Sequence, residues 1–199
     1  MGSIEAFASG FNIVDYHTET AATLITENIP GRDGKRLALI AFDYLALGTA
    51  HTLSIQVPGS LAGCRTTASA EAAAAQKVLN ATTAPTDPAG NATATPDVIA
   101  YKVTGGSWEF NLVASLATNA ITLTTNIAVI VPILAPIRIF GVVGDGAVQN
   151  IHCAASVVTS GAGNIYALSP FKGDPMYVSS NNATHDGAIN RMLFAYINK

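Results

Sequence analysis

The stretch VIAYKVTGGSWEFNLVAS, residues 98–115, decides the fold class. Val98 to Val103 and Trp108 to Ser115 each alternate in character at every second residue, the pattern of a strand with one face buried. Between them Thr104-Gly105-Gly106-Ser107 reads as a tight turn, because glycine takes the positive φ that short hairpin loops require. The pair therefore predicts a β-hairpin. Trp108, Phe110 and Leu112 share one face and are expected in the core, with Trp108 as an anchor and Glu109 pointing away from it.

Upstream, the charged turn Gly31 to Arg36 leads into Leu37 to Leu47, which is apolar at both parities apart from Asp43 and suits a strand covered on both faces. Gly48-Thr49 is expected to close a hairpin into Ala50 to Val57, where Leu53, Ile55 and Val57 alternate with Thr52, Ser54 and Gln56. His51 has the parity of Leu53 and is expected to be partly buried and bonded to backbone. Downstream strands are predicted at Ile121 to Thr125, Ile137 to Val143, His152 to Thr159, Asn164 to Leu168, Pro175 to Ser179 and Arg191 to Ile197. Gly144-Asp145-Gly146 and Ser160-Gly161-Ala162-Gly163 read as turns between them.

The segment SAEAAAAQKVLN, residues 69–80, predicts one short helix: Ser69 can cap it, Glu71 suits its first turn and alanine fills its body. ATTAPTDPAGNATATP, residues 81–96, reads as a long surface loop. Many short strands with a single helix predict an all-β fold of β-sandwich or jelly-roll type. At 199 residues one domain is expected. Residues 1–28 show no strand or helix period and read as an extended N-terminal arm. Residues 29–199 are expected to form a single β-rich domain, with the helix and long loop at 69–96. Phe7, Phe11 and Ile13 are apolar side chains of the arm without a local element to bury them, and they are the candidate interface residues.

Charged residues make up only 12% of the chain and hydrophobic ones 49%, against roughly 25% charged in an ordinary soluble domain. A surface of Thr, Ala, Asn and Gly is weakly protected from association, so a homo-oligomer or a larger protein assembly is expected. A membrane span is not: the apolar run Ile127 to Val143 carries Pro132, Pro136 and Arg138 and falls at or below the roughly 18 residues needed. It reads as two buried strands flanking a proline turn. A net charge of -3 without a basic cluster argues against direct nucleic-acid binding. The start, MGSIEAFASG, lacks the pattern of a signal peptide, which implies synthesis in a cytosol. On that route the sequons at Asn80, Asn91 and Asn182 are loop polar residues.

No chemistry-bearing pattern emerges. Cys64 and Cys153 are too far apart for a metal motif and read as buried free thiols. His17, His51, His152 and His185 have no His or Cys at ligand spacing. No serine sits in a Gly-x-Ser-x-Gly elbow, and Val142 to Gly146 lacks the Lys-Ser/Thr ending of a phosphate loop. Asp43, Asp97, Glu109, Asp145 and Asp174 are scattered singly rather than paired. The residues thus predict a non-enzymatic structural protein with no catalytic, cofactor or metal site.

Several phrases carry a resemblance: Phe11-Asn12-Ile13-Val14-Asp15, HTETAAT at 17–23, Gly48 to Leu53, Asp87-Pro88-Ala89-Gly90-Asn91, Gly141 to Asp145, Gly173-Asp174-Pro175, and Ser180 to Thr184. In these the chain resembles small structural proteins of tailed bacteriophages. The resemblance implies a virion protein assembled in the host cytoplasm, a capsid decoration or cement protein that stabilises the head shell through contacts with the major capsid protein. Such proteins are non-catalytic, form trimers or other small homo-oligomers, and grip the shell with an N-terminal arm. The same resemblance admits a tail or receptor-binding (adhesion) component as the alternative.

Overall fold

The computed structural model describes residues 12–17, 26–94, 97–141, 147–181 and 190–198. These residues form β1 (Asn12–His17), β2 (Thr26–Ile29), β3 (Arg36–Leu45), β4 (His51–Gln56), β5 (Val78–Asn80), β6 (Val98–Lys102) and β7 (Trp108–Ala117). β8 (Ala120–Leu123), β9 (Ile137–Gly141), β10 (Ala147–Cys153), β11 (Val158–Leu168), β12 (Met176–Ser180) and β13 (Arg191–Ile197) complete the set. The fold is all-β, as expected. Among the described residues the one helical element is a single 3-10 turn at Ala62–Arg65, and no helix among them is long and apolar enough to cross a membrane.

The chain divides into two compact units rather than the single domain expected. One comprises Met1–Ile55 with Ala147–Lys199, and the other is Gln56–Gly146. The physical reason is that the inserted segment closes a core alone. It supplies a five-stranded sheet in the order β5-β8-β7-β6-β9, and its apolar cluster runs from Cys64 to Ile139 without help from outside.

The first unit holds two four-stranded sheets, ordered β1-β13-β3-β11 and β10-β4-β12-β2. β3 is central to the former, antiparallel to both β13 and β11. Its interior is buried at both parities, as its apolar run predicts. One face carries Tyr44, which meets His51 on β4 of the second sheet. The opposite face joins Ala38, Ile40 and Ala41 to Leu193 and Ala195. β3 and β4 lie in different sheets, so Gly48-Thr49 does not close a hairpin. Asn12–His17, expected in an unpatterned arm, instead pairs as β1 with β13 from Asn12↔Tyr196 to His17↔Arg191. The arm's sequence lacks alternation because β1 is an edge strand, and pairing through backbone asks little of side-chain pattern.

In the second unit β6 and β7 form the predicted hairpin, from Val98↔Leu112 to Lys102↔Trp108, with Gly105 and Gly106 at φ 94 and 82 in its turn. Its parity is reversed. Ile99, Tyr101, Val103 and Val113 enter the core cluster, and the register places Asn111 opposite Ile99 and Glu109 opposite Tyr101. Trp108 and Phe110 are half-buried on the other face, and Leu112 is 39% exposed. What holds this register is Asn111: its carboxamide oxygen accepts from Leu112 N–H (2.9 Å), Thr124 Oγ1 (3.1 Å) and Thr125 N–H (3.3 Å). Its amide donates to Thr125 O at 3.2 Å. A carboxamide so satisfied is cheap to bury, and it pins the turn after β8.

The helix expected at 69–80 is absent. Ala72 exchanges backbone bonds with Val131, and Ala68 bridges Ala81 before β5 pairs with β8. Alanine's helix preference is a few tenths of a kcal/mol per residue, roughly, and those pairings to the core override it. The long loop that follows is an ordered turn in part: Asn91 N–H donates to Asp87 Oδ1 at 2.8 Å, and Thr86 bridges Ala92. The expected turn Ser160 to Gly163 lies inside β11, and the strand expected at His152 to Thr159 is split between β10 and β11.

The reversed parity has a direct test. Val113→Asp should unfold the protein, at a cost of roughly 4 kcal/mol or more, since it buries an unpaired charge. Leu112→Asp should shift stability by less than about 1 kcal/mol. Urea denaturation of the two variants checks this, and equal midpoints would show that the parity is wrong.

Candidate functional site

Of the candidate interface residues, Phe7 and Phe11 lie outside the described residues, and Ile13 falls in β1 opposite Ala195. The buried polar groups of the two units serve packing. His51, expected to be partly buried, is 2% exposed and bonds through Nδ1 to the Tyr44 hydroxyl at 2.5 Å. Ser180 also bonds Tyr44. The Cys64 thiol donates to Thr86 O and Asp87 O at 3.2 and 3.1 Å, which ties down the Asp87 turn. Burial pushes the Cys64 and Cys153 thiols up, so neither is an activated nucleophile. Glu109, expected to point away from the core toward solvent or an interface, instead lies at the half-exposed end of the core-facing side, opposite Tyr101, where its Oε2 accepts Ala128 N–H at 3.3 Å. Among the described residues no group of three or more His, Cys, Asp or Glu could hold a metal ion.

The surface feature that stands out is the irregular segment between β8 and β9. Its backbone is tied along its length: Ala75 N–H donates to Ile127 O (2.8 Å), Thr104 N–H to Ile130 O (2.8 Å), Leu134 N–H to Ala68 O (2.8 Å) and Ala68 N–H to Ala135 O (2.9 Å). Ala72 and Val131 donate to each other, both at 2.9 Å. Ile127, Val131 and Ala135 point inward and belong to the core. Val129, Ile130, Ile133 and Leu134 point outward, exposed by 43, 40, 60 and 68%. The two buried strands expected at 127–143 are thus one strand, β9, preceded by an apolar rim.

Leu134 adds a second abnormality. It holds φ at +65 in the turn that Ala135 N–H closes on Pro132 O at 3.1 Å. A left-handed backbone costs a β-carbon-bearing residue about 1 to 2 kcal/mol, and glycine avoids the cost. The chain places a leucine there and leaves its side chain in water. An exposed aliphatic cluster on a hydrogen-bonded, strained loop is preorganised to bury apolar area against another protein, with little ordering cost.

A smaller feature lies on the face of the β6-β7 hairpin opposite the core cluster. Lys102 Nζ is 5.6 Å and Arg138 Cζ 5.9 Å from the centroid of Trp108, within cation–π range. Phe110 stacks on Phe140 beside them at 6.0 Å. Trp108, expected as a core anchor, is therefore half-buried, with two cations within range of its ring.

Leu134→Gly should raise the stability of the isolated protein by about 1 kcal/mol by relieving the left-handed strain, read as a higher urea midpoint. A second expectation concerns alkali. Burial raises the phenols of Tyr44, Tyr177 and Tyr196 and pushes Tyr101 up to about 12. Unfolded tyrosines ionise near pH 10, roughly, so above that pH the native state binds more protons than the unfolded one. The stability these groups contribute is whole below about pH 10 and lost as pH rises through their native values. Denaturant midpoints measured across that range should fall steadily, and Tyr101→Phe should flatten the decline. In comparisons with protein-family models, curated proteins and solved structures, the chain matches no family, no protein and no structure.

Proposed function

We propose that this chain is a virion structural protein, a capsid decoration or cement protein that stabilises a head shell by contacts with the major capsid protein. The observation that carries the reading is the strained, exposed aliphatic rim of Val129, Ile130, Ile133 and Leu134. It supports a protein-contact role because four aliphatic side chains on a hydrogen-bonded backbone are left in water, one of them on a left-handed residue. The charge deficit, and sequence phrases that resemble those of small structural proteins of tailed bacteriophages, support the particle setting. In this reading Phe7, Phe11 and Ile13 supply further contacts to the shell.

A tail or receptor-binding role is the second reading, favoured by Trp108 with Lys102 and Arg138 near its ring. An aromatic face beside two cations suits an acidic glycan.

Co-sedimentation with undecorated shells of the parent particle separates the two. The wild-type chain should pellet with shells, and Ile133→Asp/Leu134→Asp should bind roughly a hundredfold more weakly or worse, each lost contact being worth about 1.5 to 3 kcal/mol. Its unfolding midpoint should stay at or above that of wild type. Binding of acidic glycans but not shells, lost in Trp108→Ala, would favour the second reading instead.

A further inference from the structure

We propose that two copies of this chain join through β11, each pairing the Val158–Ala162 run antiparallel with the same run of the other about a two-fold axis at Ser160. The inference deepens the reading that the protein works by packing against copies of itself. It rests on a different element from the aliphatic rim.

The edge itself states the chemistry of its occupant. β11 ends the sheet order β1-β13-β3-β11, and Val158 to Ala162 pair on one side with Leu45 to Ala41. The N–H and C=O groups along a strand's open side are satisfied best by another strand. Natural edges normally carry a charge that blocks such addition. β1 has Asp15, β2 has Glu27, β9 has Arg138, and β5 has only three residues. β10 and β11 lack these defences, since no Asp, Glu, Lys or Arg occurs between Asp145 and Lys172, and it is the Val158–Ala162 run of β11 that can pair with its own copy.

The run is also self-complementary. A two-fold axis at Ser160 sets Ser160 against Ser160, Thr159 against Gly161, and Val158 against Ala162. Val158, Ser160 and Ala162 share one parity and are exposed, Val158 by 47%. The paired copies would therefore match an aliphatic residue with a small one and a hydroxyl with a hydroxyl, with no charge opposed to its own copy. The register shift between Ala162 and Ala167 ends the straight run. A bulge there stops the ladder from lengthening and holds one register. Each copy spends its one β11 edge, so the contact closes as a dimer and does not propagate.

The test is oligomeric mass against concentration, by sedimentation equilibrium on the full chain. Wild type should pass from monomer to dimer, and Val158→Lys/Ala162→Lys should weaken the dimer at least a hundredfold. Both positions are exposed, so circular dichroism and the unfolding midpoint should match wild type. Should that pair fail to fold, Ser160→Lys sets like charges face to face on the axis and must give the same loss. Hydrogen exchange should show protection of the 159–161 amides rising with concentration. Asn150→Lys, on the other uncharged edge β10, should leave the dimer intact. A wild-type monomer at high concentration, a dimer in the lysine variants, or loss of the dimer in Asn150→Lys would each overturn the proposal. Ile133→Asp/Leu134→Asp should dimerise normally while losing the shell. Loss of dimer in that variant would also overturn the β11 contact, whereas shell binding alone decides the proposed function.

Discussion

The first unit depends on the double-sided burial of β3. A one-residue slip turns every side chain of a strand to its other face, and in β3 that would drive the large side chains of one face into the space that the other leaves for Ala38 and Ala41. β3 is held between β13 and β11, with Ala38, Ile40 and Ala41 on one face and Leu37, Leu39, Phe42 and Tyr44 on the other. Phe42 meets Tyr166 edge-on at 5.1 Å, and Gly161, opposite Phe42, leaves no room for a β-carbon, which would lie 2.6 Å from that ring. The Tyr44–His51 bond then carries the same constraint into the second sheet. A hydroxyl–imidazole bond in a dry interior is directional where packing is not, and it sets which residue of β4 faces β3.

Much of this was legible in the chain. The β3 run, the alternation of β4, the β6-β7 turn and the final strand can all be read from periodicity, because in each the pattern reports burial directly. The parity of β7 cannot. Trp108, Phe110 and Leu112 look like a core face, yet the core takes Val113 and the side chain of Asn111. Periodicity counts apolar side chains and is blind to a carboxamide whose partners, Thr124 and Thr125, arrive from another strand end. Residues 69–80 fail for a related reason: the alanines there are short enough to let the backbone approach Val131, and no local scale prices that contact. In β11 the glycines at 161 and 163 read as a turn, whereas the strand uses Gly161 for close approach to aromatic rings.

The aliphatic rim was half visible. The run from Ile127 is plainly apolar, and its prolines exclude a span, but burial was the natural reading of so many branched side chains. Which of them face outward depends on the ties to Ala68, Ala72 and Ala75, set by long-range pairing. Leu134's left-handed backbone leaves no trace in residue type at all, since glycine or asparagine is the usual sign of that conformation. The candidate interface residues of the arm rest on the opposite signal, apolar side chains without a pattern. For Ile13 the structure supplies a strand that needs none.

The two units differ in how their chain is spent. The residues from Gln56 to Gly146 are contiguous, and their sheet joins strands that follow one another closely. The flanking unit is split, and β13 must find β1 and β3 across most of the sequence, Asn12 meeting Tyr196. Loop closure over such separations is slow, and local contacts form first. During synthesis the inserted unit can therefore complete its core while the flanking one still waits for its last strand. Until that strand emerges β3 has no β13 to cover it, so the flanking sheet is withheld from any partner until nearly all of these residues have been made.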